Sequence, residues 1–505
     1  MARLLMPSLS DLLFIALLVW YFFPAPAGAE SLLIDADLGW HIRAGDYVLQ
    51  HSAVPRVDLF TFTRPGEAWF AWEWLSDAIF SYLHSTAGLK GVAIAVGLVL
   101  AAWPIVVLRH SIWSGANIWF ALAATFLALG AATCHFLARP HVFTLLGTAV
   151  AAWLIQADRR CQTRRVWWLI PLTALWANLH GGFVVVVVLL GLAAIGSLGE
   201  TVLGVGQFRN AVRCATLGAA CLFASVLNPY GVRLHFHLWQ YLQSDWIRKV
   251  VREFQAPDFR SESMHQYELL LMGALLITAL LLRRRRLVEP LWILAFAHMS
   301  LTSARHVPIF AIIAAPIVAQ TATEVWSDWT ARLHDNSVPS ILNKIASDLA
   351  SAFRWCSVWT VVFAALLALP TGAIDWPADF PARLFPVELV RTHRELIEEA
   401  RVLTLDQWAD YLIYQHYPRQ RVFVDGRSDF FGPEVGEEYL RASQGQHGWT
   451  SILDRFAVNA VLAPVDWPLA ALLKTAPEWH VVADDGRAIL FTRIQPSVVH
   501  LSKLL

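Results

Sequence analysis

The sequence predicts an α-helical polytopic membrane protein of about eleven spans, with a small α/β domain outside the membrane after the last of them. Three observations carry that prediction. Hydrophobic residues make up 57% of the 505 and charged residues only 15%, with 24 tryptophans, more apolar surface than a soluble fold buries. About eleven stretches before residue 374 approach the length a helix needs to cross a bilayer. Beyond about residue 374 the pattern changes to short alternating strands and amphipathic helices. Acids and bases balance at 39 each, so there is no basic surplus to meet nucleic-acid phosphates. The cysteines (Cys134, Cys161, Cys214, Cys221, Cys356) are scattered and absent from the tail, which leaves no readable disulfide framework or thiolate zinc site.

The candidate spans run approximately over 9–25, 89–108, 117–137, 140–157, 166–179, 182–203, 211–228, 267–282, 287–303, 306–322 and 355–373. Arg159, Arg160, Arg164 and Arg165 follow the fourth span and Arg283 to Arg286 the eighth, and both clusters are expected in the cytoplasm by the positive-inside rule. Parity then puts the N-terminus inside, and the loops after odd-numbered spans outside together with the tail. The loop at 229–266 dissents, since it carries Arg233, Arg248, Lys249, Arg252 and Arg260 on the outer side. Arg3, the apolar run Leu12 to Phe23 and Ala27-Gly28-Ala29 also allow a cleavable signal peptide, which would leave the orientation unchanged.

On this topology polar residues collect at the outer ends of the spans. They are Asp35, Asp37 and His41 after the first span, Glu73 later in the first loop, Arg139 and His141, Asn178 and His180, Asn228 and Tyr230, and Arg305 and His306. Ionisable groups at a membrane edge are costly unless they pair, bind a metal or do chemistry. Helix ends hold polar residues in any membrane protein, so each position alone also has a structural reading.

The first loop, about 26–88, reads as structured. Leu59 to Thr63 alternates as a short strand, and Ala68 to His84 reads as an interfacial helix with Glu73, Asp77, Ser81 and His84 on one face. That face presents Glu73 to a site or is a solvated face, the second reading weighing more for Asp77. Arg139 suits a phosphate because its guanidinium is a fixed fork of donors that stays charged; the alternative is an interfacial anchor. His180 either joins such a site or caps a helix end beside Gly181-Gly182.

In the tail, 401–405, 421–425, 459–463, 480–483 and 488–492 read as strands, with helices near 407–415, 434–442 and 469–475. Val424-Asp425-Gly426-Arg427 leaves a strand in a turn, a frequent binding position, although an internal Asp425–Arg427 pair fixing that turn is the stronger reading. No phosphate-loop or dinucleotide glycine pattern occurs.

Together, a first outward loop opening with Asp35-Ala36-Asp37, an interfacial helix, about eleven spans and an outward C-terminal domain resemble the GT-C superfamily of membrane glycosyltransferases. More narrowly, Asp37 to Gly45, Trp72-Glu73-Trp74-Leu75, Arg139-Pro140-His141 and Val424 to Arg427 resemble a bacterial polytopic group near oligosaccharyltransferases and protein O-mannosyltransferases. The resemblance implies an inverting transferase of the bacterial inner membrane that moves a sugar from a polyprenyl phosphate or diphosphate carrier. The acceptor is a glycan, lipid or protein at the extracytoplasmic face. A phosphate leaving group needs charge neutralisation rather than a proton, so one base and one cationic clamp suffice.

On that basis Asp37 or Asp35 is the base, and Arg139 and Arg305, with His141, Asn178, His180 and His306 nearby, hold the carrier phosphate. By resemblance the first-loop acid instead ligates Mg2+ or Mn2+, with Asp35, Asp37, His41 and Glu73 as the tentative shell. The chain departs from oligosaccharyltransferases, carrying Arg139-Pro140-His141 where they have an acidic pair, and it lacks their Trp-Trp-Asp acceptor motif. Two rivals stand beside the transferase: a noncatalytic cell-envelope scaffold, and a transporter or flippase of lipid-linked substrates, which would need polar groups at mid-span.

Overall fold

The computed structural model describes residues 5–23, 28–334, 336–352, 357–369 and 374–494. It divides into two compact units. One comprises residues 1–32, 72–76 and 86–376; the other gathers 33–71 and 77–85 of the first loop with 377–505 of the tail.

In the first unit each of the eleven expected spans contains a helix. They are Leu9–Phe22, Trp74–Trp113, Ile118–Ala132, His141–Cys161, Leu169–Leu179, Val184–Val202, Phe208–Ala224, Glu262–Arg283, Val288–Thr302, Val307–Thr330 and Trp359–Ala368. Among the described residues, five helices are long and apolar enough by length and composition to cross a membrane: those at Trp74–Trp113, Ile118–His135, Gly181–Val202, Glu262–Arg283 and Ala304–Thr330. The first helix starts with a capping box, Ser8 accepting from the Asp11 amide and Asp11 from the Ser8 amide. Asp11 also accepts from the Ser357 amide at 3.1 Å, tying the helix to the far end of the sequence, and Tyr21 and Phe22 are buried. Ala27 of the possible cleavage tripeptide lies outside the described residues. The two arginine clusters meet at one end of the unit. Arg160 donates to Gln320, Gln320 to Glu324, and Arg284 and Arg286 pair with Glu324.

In the second unit the strands β1 (Val402–Thr404), β2 (Ala460–Pro464), β3 (Trp479–Asp484) and β4 (Ala488–Arg493) form one sheet in the order β1-β2-β4-β3, with β1 and β2 parallel and the rest antiparallel. Helices Asp406–His416 and Pro468–Leu473 fall where the sequence predicts them. The Ser428–Ser443 helix starts six residues early and bends at Gly432, where φ is 60°. The expected strand at 421–425 reduces to single bridges of Val422 with Val402 and with Thr61.

The same holds for 59–63, whose only ladder contacts are those of the Thr61–Val422 bridge, because the partner segment is too short to extend it. The expected interfacial helix begins at Trp74 rather than Ala68. Ala68 is instead bridged to Val57, and the helix runs on to Trp113 through a bend at Ala87-Gly88. An unpredicted helix, Asp37–His51, buries Leu38, Ile42, Gly45 and Val48 at helical spacing and packs on the Asp406–His416 helix. Gly39 permits that approach, since a Cβ there would stand 2.4 Å from the Asp410 carbonyl oxygen.

Candidate functional site

The expected site residues separate into two clusters of opposite electrostatic character. Asp35, Asp37, His41, Asp425 and Arg427 belong to the loop-and-tail unit, and Glu73, Arg139, His141, Asn178, His180, Arg305 and His306 to the helical unit.

Asp37 opens the Asp37–His51 helix. Its amide donates to Asp35 Oδ1 at 2.9 Å, a local turn that satisfies one of the helix's unpaired amides. Gln407 clamps the corner, accepting from the Ala36 amide at 2.8 Å and donating to Asp37 Oδ1 at 3.2 Å. Across the turn, Gly426 brings two carboxylates together: a Cβ there would lie 2.3 Å from Asp37 Oδ1 and 2.8 Å from Asp410 Oδ2. Asp410 accepts the Gly426 amide at 3.0 Å and is wholly buried. Burial, with Asp37 and Asp425 adding repulsion, pushes its carboxyl well above the usual range.

Beside it Arg427 grips Asp425 with two bonds of 2.9 and 2.6 Å and reaches Asp58 at 2.7 Å, among the rings of Phe60, Trp69 and Phe430. All three charged groups are buried. Asp425 and Arg427 thus form the internal pair, and Asp58 extends it to the first loop. His41 is likewise committed. Its Nδ1 lies 2.6 Å from Asp77 Oδ1 with both side chains buried, so Asp77 is no solvated face: the Asp37–His51 helix covers it at Gly45.

In the helical unit His180 joins two hairpins. Its Nδ1 accepts from the Gly182 amide at 3.0 Å and contacts Thr144 Oγ1 at 2.7 Å, and the Thr144 hydroxyl oxygen accepts from Trp176. An amide can only donate, so Nδ1 carries no proton, and the neutral ring presents Nε2–H, which stands 3.4 Å from Glu73 Oε1. Burial first, then Arg305, His141 and Arg139, hold the His180 pKa well below its usual value. Gly182 is required here because a Cβ would stand 2.3 Å from Thr144 Oγ1. His180 therefore does cap the short turn after it, while also facing Glu73.

Asn178 is a structural fastener. It accepts from Trp74 Nε1 at 2.8 Å and donates to the Ala174 and Leu227 carbonyls. Arg139 donates to Glu253 at 2.9 Å, and Arg305 lies over Phe254 at 4.5 Å and donates to Tyr241. The Arg305 turn is pinned to the Glu253 segment, Ser303 donating to the Glu253 carbonyl and the Ala304 amide to that of Gln255. Burial alone would raise the Glu253 pKa, but Arg139, His135, Arg305 and His141 outweigh it and hold the carboxyl below the usual range. His141 donates from Nε2 to the His135 carbonyl at 2.7 Å. His306 has a buried Nδ1 with no partner among the described residues.

No protein-family model and no curated protein matches the chain. Solved structures do. The oligosaccharyltransferase of Archaeoglobus fulgidus tethered to an acceptor peptide aligns with a TM-score of 0.57 at 10% identity, over 96% of this chain and 74% of its own. The same archaeal enzyme, AglB, in complex with an inhibitory peptide and dolichol phosphate, aligns at 0.54 and 11% identity over the same shares. The chain has the GT-C fold. ArnT from Cupriavidus metallidurans bound to undecaprenyl phosphate is also similar, at 0.48 and 15% identity over 96% of this chain and 98% of its own. Beside that fold, the described residues hold five helices long and apolar enough to cross a membrane and a small C-terminal sheet.

Within the GT-C fold, reasoning from sequence found the ends of the spans and missed Glu253, Tyr241, Gln407, Asp410 and Asp58. Among the described residues no three His, Cys, Asp or Glu side chains gather as a metal site. Of the tentative shell, His41 is bonded to Asp77 and Glu73 faces His180, which leaves Asp37 beside Asp410 and Asp35 bonded to the Asp37 amide.

Proposed function

We propose that the protein transfers a sugar from a polyprenyl phosphate or diphosphate carrier to an acceptor hydroxyl at the extracytoplasmic face of the bacterial inner membrane. The observation that carries this reading is the cluster of two arginines, Arg139 and Arg305, around a single ionised carboxylate, Glu253. That cluster keeps a cationic surplus and a neutral imidazole, a setting suited to an incoming phosphate. The neighbours of like fold were crystallised with dolichol phosphate and an acceptor peptide.

In the reaction Asp37 takes the proton of the acceptor hydroxyl as its oxygen bonds to the anomeric carbon. The bond from that carbon to the phosphate oxygen breaks, and the carrier phosphate leaves with its electrons. Gln407 orients Asp37 by donating to Oδ1, and burial beside Asp37 and Asp425 favours the neutral form of Asp410. Arg139 and Arg305, in the helical unit, are the cations suited to a phosphate whose negative charge grows. No step passes through a metal.

The test is release of polyprenyl phosphate from polyprenyl-linked sugars by the protein reconstituted in liposomes, after EDTA and after added Mg2+ or Mn2+. Asp37→Asn should slow transfer by about 100-fold or more while carrier binding persists. Arg139→Gln and Arg305→Gln should weaken carrier binding. Wild-type transfer by Asp37→Asn removes the assignment of the base, and no transfer by the wild-type protein favours the scaffold.

A further inference from the structure

Away from these clusters, the loop-and-tail unit contains a cleft of about 300 Å³ lined by Phe62, Ala400, Arg401, Arg419, Gln420 and Arg421, among others. Its walls come from three distant stretches of chain, held together by the bridges Thr61–Val422 and Val402–Val422. Its volume is at the lower end for small-molecule sites. The charge of the walls is unevenly spent. Of the two lining acids, Glu398 is taken up by Arg394, His416 and Arg419, and the exposed Glu399 has no arginine partner among the described residues, so the three lining arginines outnumber the acids. Arg401 and Arg421 are exposed and have no carboxylate partner among the described residues.

Arg401 is pre-positioned, its guanidinium lying over Phe62 at 5.2 Å and donating to the Phe456 carbonyl at 3.1 Å. Gln420 spends its amide nitrogen on the Ala400 and Arg421 carbonyls, and its buried Oε1 has no partner. Two guanidiniums without a carboxylate partner among the described residues and an idle carbonyl oxygen describe a site that wants an oxyanion with hydroxyl groups beside it.

The chain running from Arg421 to Gly426 ends where Gly426 touches Asp37. Five residues of extended chain span at most about 17 Å, a few sugar units. We infer that this cleft binds the acidic part of the acceptor, a saccharide bearing a carboxylate or a phosphate, and holds it while a more distal hydroxyl lies at Asp37. This deepens the proposed transfer and rests on it only for the word acceptor.

The experiment is calorimetry on the full-length protein in nanodiscs with trigalacturonate, glucose 6-phosphate and maltotriose. Trigalacturonate should bind and maltotriose should not. Arg401→Gln combined with Arg421→Gln should weaken binding at least ten-fold, and Arg421→Gln alone, an exposed change with no side-chain hydrogen bond to lose, at least three-fold. Binding of glucose 6-phosphate alone keeps the site and assigns it to phosphate. Equal binding of maltotriose, no binding of either charged sugar, or wild-type affinity in the Arg421→Gln protein overturns it. Because binding needs no turnover, a cleft that binds in a protein without transfer separates failure of the transferase reading from failure of this one.

Discussion

The two clusters treat their carboxylates in opposite ways. Around Glu253 the neighbours are Arg139, Arg305 and two histidines, and the acid is held ionised. Around Asp410 the neighbours are Asp37 and Asp425, the Arg427 guanidinium is shared between Asp425 and Asp58, and the carboxyl is pushed above its usual range. Burial pushes both carboxyls upward; the supply of cations decides which way each finally goes. One region is therefore built to receive an anion and the other to keep a proton near a base.

The largest expected effect tests the hub of the acid-rich region. Arg427→Met strands Asp58 and Asp425 in a buried setting and should cost about 3–5 kcal/mol, read as a drop in thermal stability in detergent; a small drop would mean that water reaches the pair. Next, Gly182→Ala forces a Cβ against Thr144 and His180 and should cost about 1–3 kcal/mol, with carrier binding impaired in parallel.

The Asp410 pair gives a prediction of opposite sign. Its folded pKa is raised, so the unfolded chain releases that proton first, and the penalty on folding grows as pH rises above about 3.8. Asp410→Asn keeps an acceptor for the Gly426 amide and should stabilise the protein by about 1 kcal/mol at pH 8, and less at pH 5. Destabilisation at pH 8 would show that the carboxyl is ionised after all.

Glu253 should show the reverse, and the smallest effect because it is partly exposed. With its folded pKa lowered, its contribution is complete above about 4.5 and is lost as pH falls through the folded value. Glu253→Gln should cost roughly 1 kcal/mol or less at pH 7 and flatten that acid limb, while carrier phosphate binds more tightly for lack of a competitor.

These contrasts also explain what could be read from the sequence. Arg139, His180 and Arg305 stand at the ends of apolar runs, where hydropathy and position mark them. Glu253 sits in a long mixed loop, and its importance comes from a turn about fifty residues later, at Ser303 and Ala304. Gln407 and Asp410 lie on one turn of an ordinary amphipathic helix, and only the close approach at Gly39 and Gly426 gives them a role. The Asp37–His51 helix was legible in principle from the spacing of Leu38, Ile42 and Val48. The strand-like 421–425 segment was misread because a bridge and a strand share the same alternation.

Asp58 and Arg427 are 369 residues apart in the chain. At synthesis rates of about 5–20 residues per second, the first loop waits for roughly 20–70 seconds before its partner has been made. Throughout that interval Asp58, Phe60 and Trp69 lack the guanidinium that will organise them. The loop is thus made well before the partner that completes it, so a nascent protein stalled before Arg427 would present an aromatic, acidic surface to whatever chaperone or protease meets it.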